Sequence, residues 1–327
     1  MCAKPIRIAL SLDHAPSLWL YTRQRLETHH VTTAARLPAR HRSWLFAPGD
    51  SEKKMTKAAQ GEADIVIFDL EDAVAEGEKP AARELIRSFL EAQSEDQRGR
   101  LWVRVNPLDG PHTAGDLAAV LPVRPGGIML PKSRGRHDVE ELDRLLTALE
   151  LENGLPAGTT PVIALVTEVA AAMFTTGDYA GAPRLVAMTW GAEDLADSIG
   201  ALSNRGPDGQ YSFTYELARS LTLLGAAAAS VPAIETIDGD FRNLEGLKAR
   251  AEQVRRDGYR GMLAIHPAQV PVINAAFTPS AEEIAEAREI VALFEENPDL
   301  GTIGHKGKML DRPHLSRARQ LLAQVEA

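Results

Sequence analysis

Cysteine is almost absent from this chain of 327 residues. Cys2 stands alone, so an internal disulfide and a thiolate metal cluster are both excluded. That usage fits a reducing compartment, and a cytoplasmic protein is the expectation. Positive charge is also scarce: 36 Lys and Arg face 45 Asp and Glu, a formal net charge of -9. A general nucleic-acid surface or a polybasic membrane anchor is thereby disfavoured, and an anionic ligand must find a local basic patch. Long apolar runs are missing too, since the best of them, Leu221 to Ile234, is interrupted by Gly225, Ser230 and Pro232. No Gly-x-Gly-x-x-Gly or Walker-type phosphate loop occurs, nor a Gly-x-Ser-x-Gly elbow. Dinucleotide, nucleoside-triphosphate and serine-hydrolase chemistries therefore lack their usual markers.

What is present is the make-up of a folded chain with a large core, 44% hydrophobic and 25% charged. Residues 1–40 differ from the rest. Lys4, Arg7, Arg23, Arg25, Arg36 and Arg40 outnumber Asp13 and Glu27 without clear periodicity, which reads as a loosely structured extension. An organelle transit peptide is the alternative for such an Arg-rich, acid-poor stretch. From Ser43 onward short apolar runs alternate with helical patterns. The runs predict strands at Trp44–Ala47, Ile65–Phe68, Leu101–Val105, Gly127–Leu130, Val162–Val166, Leu185–Thr189, Ala226–Val231 and Met262–Ile265. Helices are predicted between them, among them Glu52–Gln60, Ala81–Ala92, Val139–Leu151, Tyr215–Leu224 and Leu244–Asp257. Eight such units favour an α/β fold, a parallel (β/α)8 TIM barrel over residues 41–278, with an open doubly wound sheet as the alternative. Residues 279–327 then form a C-terminal helical segment in which Gly301, Gly304 and Gly307 suit either a mobile lid or a plain connector.

In a parallel barrel the catalytic groups gather where the strands end, because the following loops converge on one mouth. Here the strand ends are crowded with ionisable residues: Asp69, Glu71 and Asp72; Arg104; Lys132; Glu168; Glu193 and Asp194; Glu235 and Asp238; His266. Crowded carboxylates repel unless a cation neutralises them, and a divalent ion and Arg104 are the natural solutions. Glu168 and Asp194 follow consecutive strands and are the expected metal pair, although either could instead cap the helix it precedes. Arg104 interrupts a buried strand and should face the mouth, paired with Glu71 or Asp72. His266 is read as structural and left out of the catalytic set. Lys53, Lys54 and Lys57 on the first helix, beside Arg42, form the one basic patch near the first loop, which Lys132, Arg134 and Arg136 could join.

The segments Arg42-Ser43-Trp44-Leu45-Phe46-Ala47-Pro48-Gly49-Asp50, Phe68-Asp69-Leu70-Glu71-Asp72-Ala73-Val74, Val103-Arg104-Val105-Asn106, Leu130-Pro131-Lys132 and Trp190-Gly191-Ala192-Glu193-Asp194-Leu195 together resemble the citrate lyase beta-subunit-like branch of the citrate lyase/malyl-CoA lyase/class II aldolase superfamily. The resemblance runs from about Arg42 to about Arg319. It implies a Mg2+-dependent (or Mn2+-dependent) barrel, a homotrimer or larger, that makes or breaks a C–C bond between a thioester enolate and a 2-keto acid. By position it implies Glu168 and Asp194 as metal carboxylates, Arg104 as catalytic arginine, and Glu71 and Asp72 as the acidic pair behind it. It further implies Asp311 as a lid aspartate serving a neighbouring subunit, and Arg42, Lys57 and Lys132 as contacts for the coenzyme A substrate. Malyl-, citramalyl- and citryl-CoA are the implied substrates; thioester hydrolysis, or a citrate lyase complex subunit acting on an acyl-carrier protein, are the alternatives. The chain departs from the family pattern at Val169, where a small polar residue is more usual, and its Ser203–Gln210 loop lies where it could reshape the keto-acid pocket.

Overall fold

Alternating apolar side chains decide the architecture, because in a closed parallel sheet every second residue faces the lumen and the others face the surrounding helices. Trp44, Ile65, Ile67, Trp102, Met129, Ile163, Leu165, Ala187, Ile234 and Leu263 form one buried cluster, the barrel interior. Their strand neighbours Leu45, Val66, Phe68, Val103, Ile128 and Ala164 belong to a second, larger cluster shared with the helices. Trp44 and Trp102 meet edge to face across the interior, ring centroids 5.2 Å apart. Burial of each such large side chain contributes about 1.5–3 kcal/mol.

The computed structural model describes residues 35–326. Its strands are β1 (Ser43–Pro48), β2 (Ile65–Asp69), β3 (Leu101–Arg104), β4 (Gly127–Leu130), β5 (Val162–Leu165), β6 (Leu185–Thr189), β7 (Ala233–Glu235) and β8 (Gly261–Ala264). All neighbours pair in parallel, and β1 closes the barrel against β8. Helices cover the outside, so this is the (β/α)8 barrel that the strand–helix alternation predicts. Of the predicted extension only residues 35–40 are described, without regular secondary structure; Cys2 and the rest of it lie outside the described residues.

One predicted strand is misplaced. Ala226–Val231 does not form β7: residues up to Ala228 complete the helix Phe213–Ala228. That helix ends at Ser230 in the left-handed region (φ 59°), and Pro232 prevents its continuation. The segment that follows β5 is a 3-10 turn over Ala170–Phe174 and not an α-helix. Beyond the barrel, the helix Ala281–Glu296 is capped by Ser280, whose hydroxyl accepts from the Glu283 N–H. The glycine-spaced stretch is not an irregular connector. It is an antiparallel hairpin, β9 (Thr302–His305) and β10 (Lys308–Asp311), turning through Lys306 and Gly307, both at positive φ as a tight two-residue turn requires. Leu310 packs with Phe294 and Leu315, anchoring the hairpin to the flanking helices.

Candidate active site

The strand register carries the charged residues into one mouth. Asp69 has the same parity as Ile65 and Ile67, and Arg104 the same as Trp102, so both point inward at the carboxyl ends of β2 and β3. They are also register partners across the two strands. The Arg104 guanidinium grips Asp69 with both arms, Nε to Oδ1 and Nη2 to Oδ2, each at 2.7 Å. Its Nη1 lies 2.8 Å from Glu71 Oε2, with Asp72 more distant at 4.0 Å. The guanidinium also lies over the Phe46 ring, 4.9 Å from its centroid. Two of the five guanidinium N–H donors are thus hydrogen-bonded to Asp69, and the Nη1 contact with Glu71 is an ion pair without a hydrogen bond.

The expected acidic pair is therefore divided: Glu71 is buried against Arg104 while the Asp72 side chain is 57% exposed at the rim. Asp69, not singled out from the sequence, is the principal partner. Burial alone would raise its pKa, but the Arg104 charge and hydrogen bonds, with the N–H groups of Glu71 and Ala73, hold it below the usual carboxylate range. Arg104 is kept protonated by Asp69 and Glu71 in spite of its burial.

The second half of the site is built from β4, β5 and β6. Glu168 is buried, and its Oε2 accepts the Lys132 backbone N–H at 2.6 Å. It therefore does not cap the turn Ala170–Phe174, which has no side-chain cap. Gly191 lets it lie there, since a Cβ at that position would come within 2.8 Å of Glu168 Cγ. Asp194, in the first turn of the helix Ala192–Ser198, is partly open to solvent and lies 3.2 Å from Lys132 Nζ. The same Nζ donates to Glu71 Oε1 at 2.6 Å. Among the described residues, the side chains of Asp69, Glu71, Asp72 and Asp194 pair with Arg104 and Lys132, and buried Glu168 lies beside them.

That imbalance is visible in the titration of the buried acids. Burial, then the nearby Asp194 and Glu71, push Glu168 up to about 8. Burial likewise raises Glu71, against the pull of Arg104 and Lys132. Among the described residues no three Asp, Glu, His or Cys side chains form a ready metal cage. Glu168 and Asp194 nonetheless fit a hard divalent ion: they offer oxygen donors beside a deficit of positive charge, and Asp194 is partly open to solvent.

The structure does not bring Arg42 or Lys57 to this mouth. Arg42 precedes β1 and so lies at the amino rim, where it pairs with Asp64 at 2.8 Å and donates to Thr278 Oγ1 at 2.7 Å. Lys57 is exposed in the last turn of the helix Glu52–Ala59, which runs away from the mouth. Lys132 is at the mouth, but its ammonium is held by carboxylates instead of standing open to a phosphate. Arg134 and Arg136 are paired with Asp109 and Glu140. Asp311, at the end of β10, makes its described side-chain contact with His314 Nδ1 at 2.5 Å, which depresses its pKa. His266 stacks on Phe241 and accepts the Ala268 N–H, a structural role. The Ser203–Gln210 loop is tied down by Asn204 Nδ2 donating to Glu193 Oε1 at 2.8 Å and by Arg205 lying over Tyr211.

Known proteins resemble this chain in sequence and fold. The model of the HpcH/HpaI aldolase/citrate lyase family matches residues 42–267. A (3S)-malyl-CoA thioesterase of Cereibacter sphaeroides is 36% identical over 288 residues, 88% of this chain and 95% of the relative. A citrate lyase subunit beta-like protein of Mycobacterium tuberculosis is 35% identical over 283 residues, 86% and 94% of the two chains. The crystal structure of the M. tuberculosis protein CitE in complex with magnesium, acetoacetate and coenzyme A superposes with a TM-score of 0.72 at 34% identity, covering 88% of this chain and 98% of that one.

Proposed function

Since the chain belongs to the HpcH/HpaI aldolase/citrate lyase family, we propose that it is a Mg2+-dependent carbon–carbon lyase for a short 3-hydroxyacyl-CoA thioester such as malyl-, citramalyl- or citryl-CoA. The observation that carries this reading is the pairing, in one mouth, of an anchored arginine with a carboxylate pair short of positive charge. In the cleavage direction a base takes the substrate hydroxyl proton, the oxygen's electron pair becomes the keto carbonyl as the C–C bond breaks, and the bond pair passes onto the thioester as an enolate whose carbon is then protonated. Arg104, oriented by its two hydrogen bonds to Asp69 and charge-paired with Glu71, presents its remaining N–H groups to oxygen where charge develops. Glu168 and Asp194 would hold the metal, Mg2+ or Mn2+; when bound it supplies Lewis-acid polarisation and a template for the keto-acid oxygens. Asp311 has no partner at the mouth among its described contacts, so its task as acid/base at the enolate carbon requires delivery from a second copy of the chain, and we assign it that role in a homo-oligomer.

Hydrolysis of the same thioester is the second reading, favoured by the thioesterase that is 36% identical over 95% of its length. Incubating the purified protein with Mg2+ and each of the three thioesters separates the two. The expected products are acetyl-CoA and a 2-keto acid; free CoA with the intact hydroxy acid establishes the hydrolase, and no turnover of any thioester rejects both.

A further inference from the structure

Lys132 is a cation at the mouth to which the reaction above gives no task. β4 ends at Leu130, and after Pro131 the backbone of Lys132 takes φ +52°, a left-handed conformation that is unfavourable for a residue with a Cβ. Two contacts accompany that conformation. The backbone N–H reaches Glu168 Oε2 at 2.6 Å, and the side chain crosses to Glu71 Oε1 at 2.6 Å and Asp194 Oδ1 at 3.2 Å. One residue thus touches both proposed metal carboxylates, the first through its main chain and the second through its ammonium.

We infer that Lys132 is a positioning residue that sets metal affinity. Its N–H aims Glu168, and its ammonium steers Asp194 while competing with the divalent ion for that carboxylate's charge. This rests on the reading of Glu168 and Asp194 as the metal pair. The two halves of the role separate under mutation. Lys132→Met keeps the backbone donor to Glu168 but removes a unit charge from Asp194, and a neighbouring unit charge ordinarily changes a carboxylate's affinity for a cation by about tenfold or more. The charge-free variant should therefore bind the metal more tightly while working less well, because Glu71 and Asp194 lose the group that orients them. A side chain needed only for packing would lower affinity and turnover together.

The test is titration of metal-free protein with Mn2+, with free Mn2+ counted by electron paramagnetic resonance, alongside turnover at saturating metal. Lys132→Met, and Lys132→Gln as a polar alternative, are expected to bind Mn2+ about tenfold more tightly than the parent, with turnover at least about tenfold lower. Lys132→Arg, which keeps the charge, should bind within about threefold of the parent. Unchanged or weaker binding in both neutral variants overturns the inference and leaves the metal reading standing. If neither neutral variant folds, the side chain belongs to the fold, which overturns it too. A folded parent that takes up no Mn2+ overturns the metal reading, and this inference with it.

Discussion

Arg104 and Arg184 are both driven into the protein among carboxylates, one at the carboxyl end of β3 and the other just before the amino end of β6. Their surroundings differ in one respect: whether the charges close. Arg184 sends Nη1 and Nη2 to Glu150 at 2.6 and 2.8 Å, Nη2 to Thr147 Oγ1 at 2.7 Å, and Nε to Asp143. Glu150 also accepts from the Gly158 N–H and from the N–H and hydroxyl of Thr160. Burial would raise the Glu150 pKa, but the Arg184 and Thr160 hydrogen bonds hold it down. At the mouth Asp69 is depressed in the same way, yet Glu71 and Glu168 are raised. A saturated cluster of this kind staples a fold, whereas an acid-rich cluster next to solvent waits for a cation.

The largest effect should come from opening the closed cluster. Arg184→Met leaves Glu150 buried with an uncompensated charge, and breaking such a pair costs about 3–5 kcal/mol. Chemical denaturation should show that loss, while activity per folded molecule stays near the parent's. A variant as stable as the parent would mean that the cluster contributes no net stability. At the mouth the outcome should be inverted. Asp194→Asn should lower turnover by roughly a hundred- to thousandfold and abolish Mn2+ uptake, while the melting temperature in chelator stays put or rises. Full turnover by Asp194→Asn would remove Asp194 from the site. Arg104→Ala is the less clean test, because it also strands the buried Asp69 and so confounds catalysis with folding.

Most of this contrast can be read from the residues, and the exceptions have physical causes. The barrel is legible because lumen and shell positions alternate through runs such as Ile65–Asp69. The same parity marks Asp69 as inward-facing, but its engagement with Arg104 depends on a register between two strands that the sequence does not state. Arg42 shows the reverse failure: its basic charge suggests a ligand contact, whereas its place before β1 already assigns it to the amino rim. β7 is hidden because the real strand is three residues long and ends in a polar group, while the alanine run ahead of it is apolar enough to imitate a strand. Glu150 and Arg184 belong to separate elements 34 residues apart, and neither carries a motif, so only the folded chain pairs them.

The smallest effect is the most diagnostic, because pH should move Glu168 in the direction opposite to Glu150 and Asp69. Glu150 and Asp69 have folded pKa values below their ordinary ones, so the stability they lend is present at neutral pH and lost as the solution is acidified through those folded values. Glu168 is the reverse. Its pKa rises from an ordinary 4.5 to about 8, chiefly through burial and then through Asp194 and Glu71. The folded protein then holds a proton that the unfolded chain has released, so this stability is complete below pH 4.5 and disappears as pH climbs through about 8. In chelator, the melting temperature should fall by a few degrees, on the order expected for 1–2 kcal/mol, between mildly acidic and mildly basic buffer. Glu168→Gln, which cannot ionise, should flatten that slope, and saturating Mg2+ should flatten it in the parent by supplying the charge that the proton had been replacing. If the slope survives Glu168→Gln, the ionisation belongs to another group, Glu71 being the other raised acid at the mouth, and Glu168 does not carry the charge deficit.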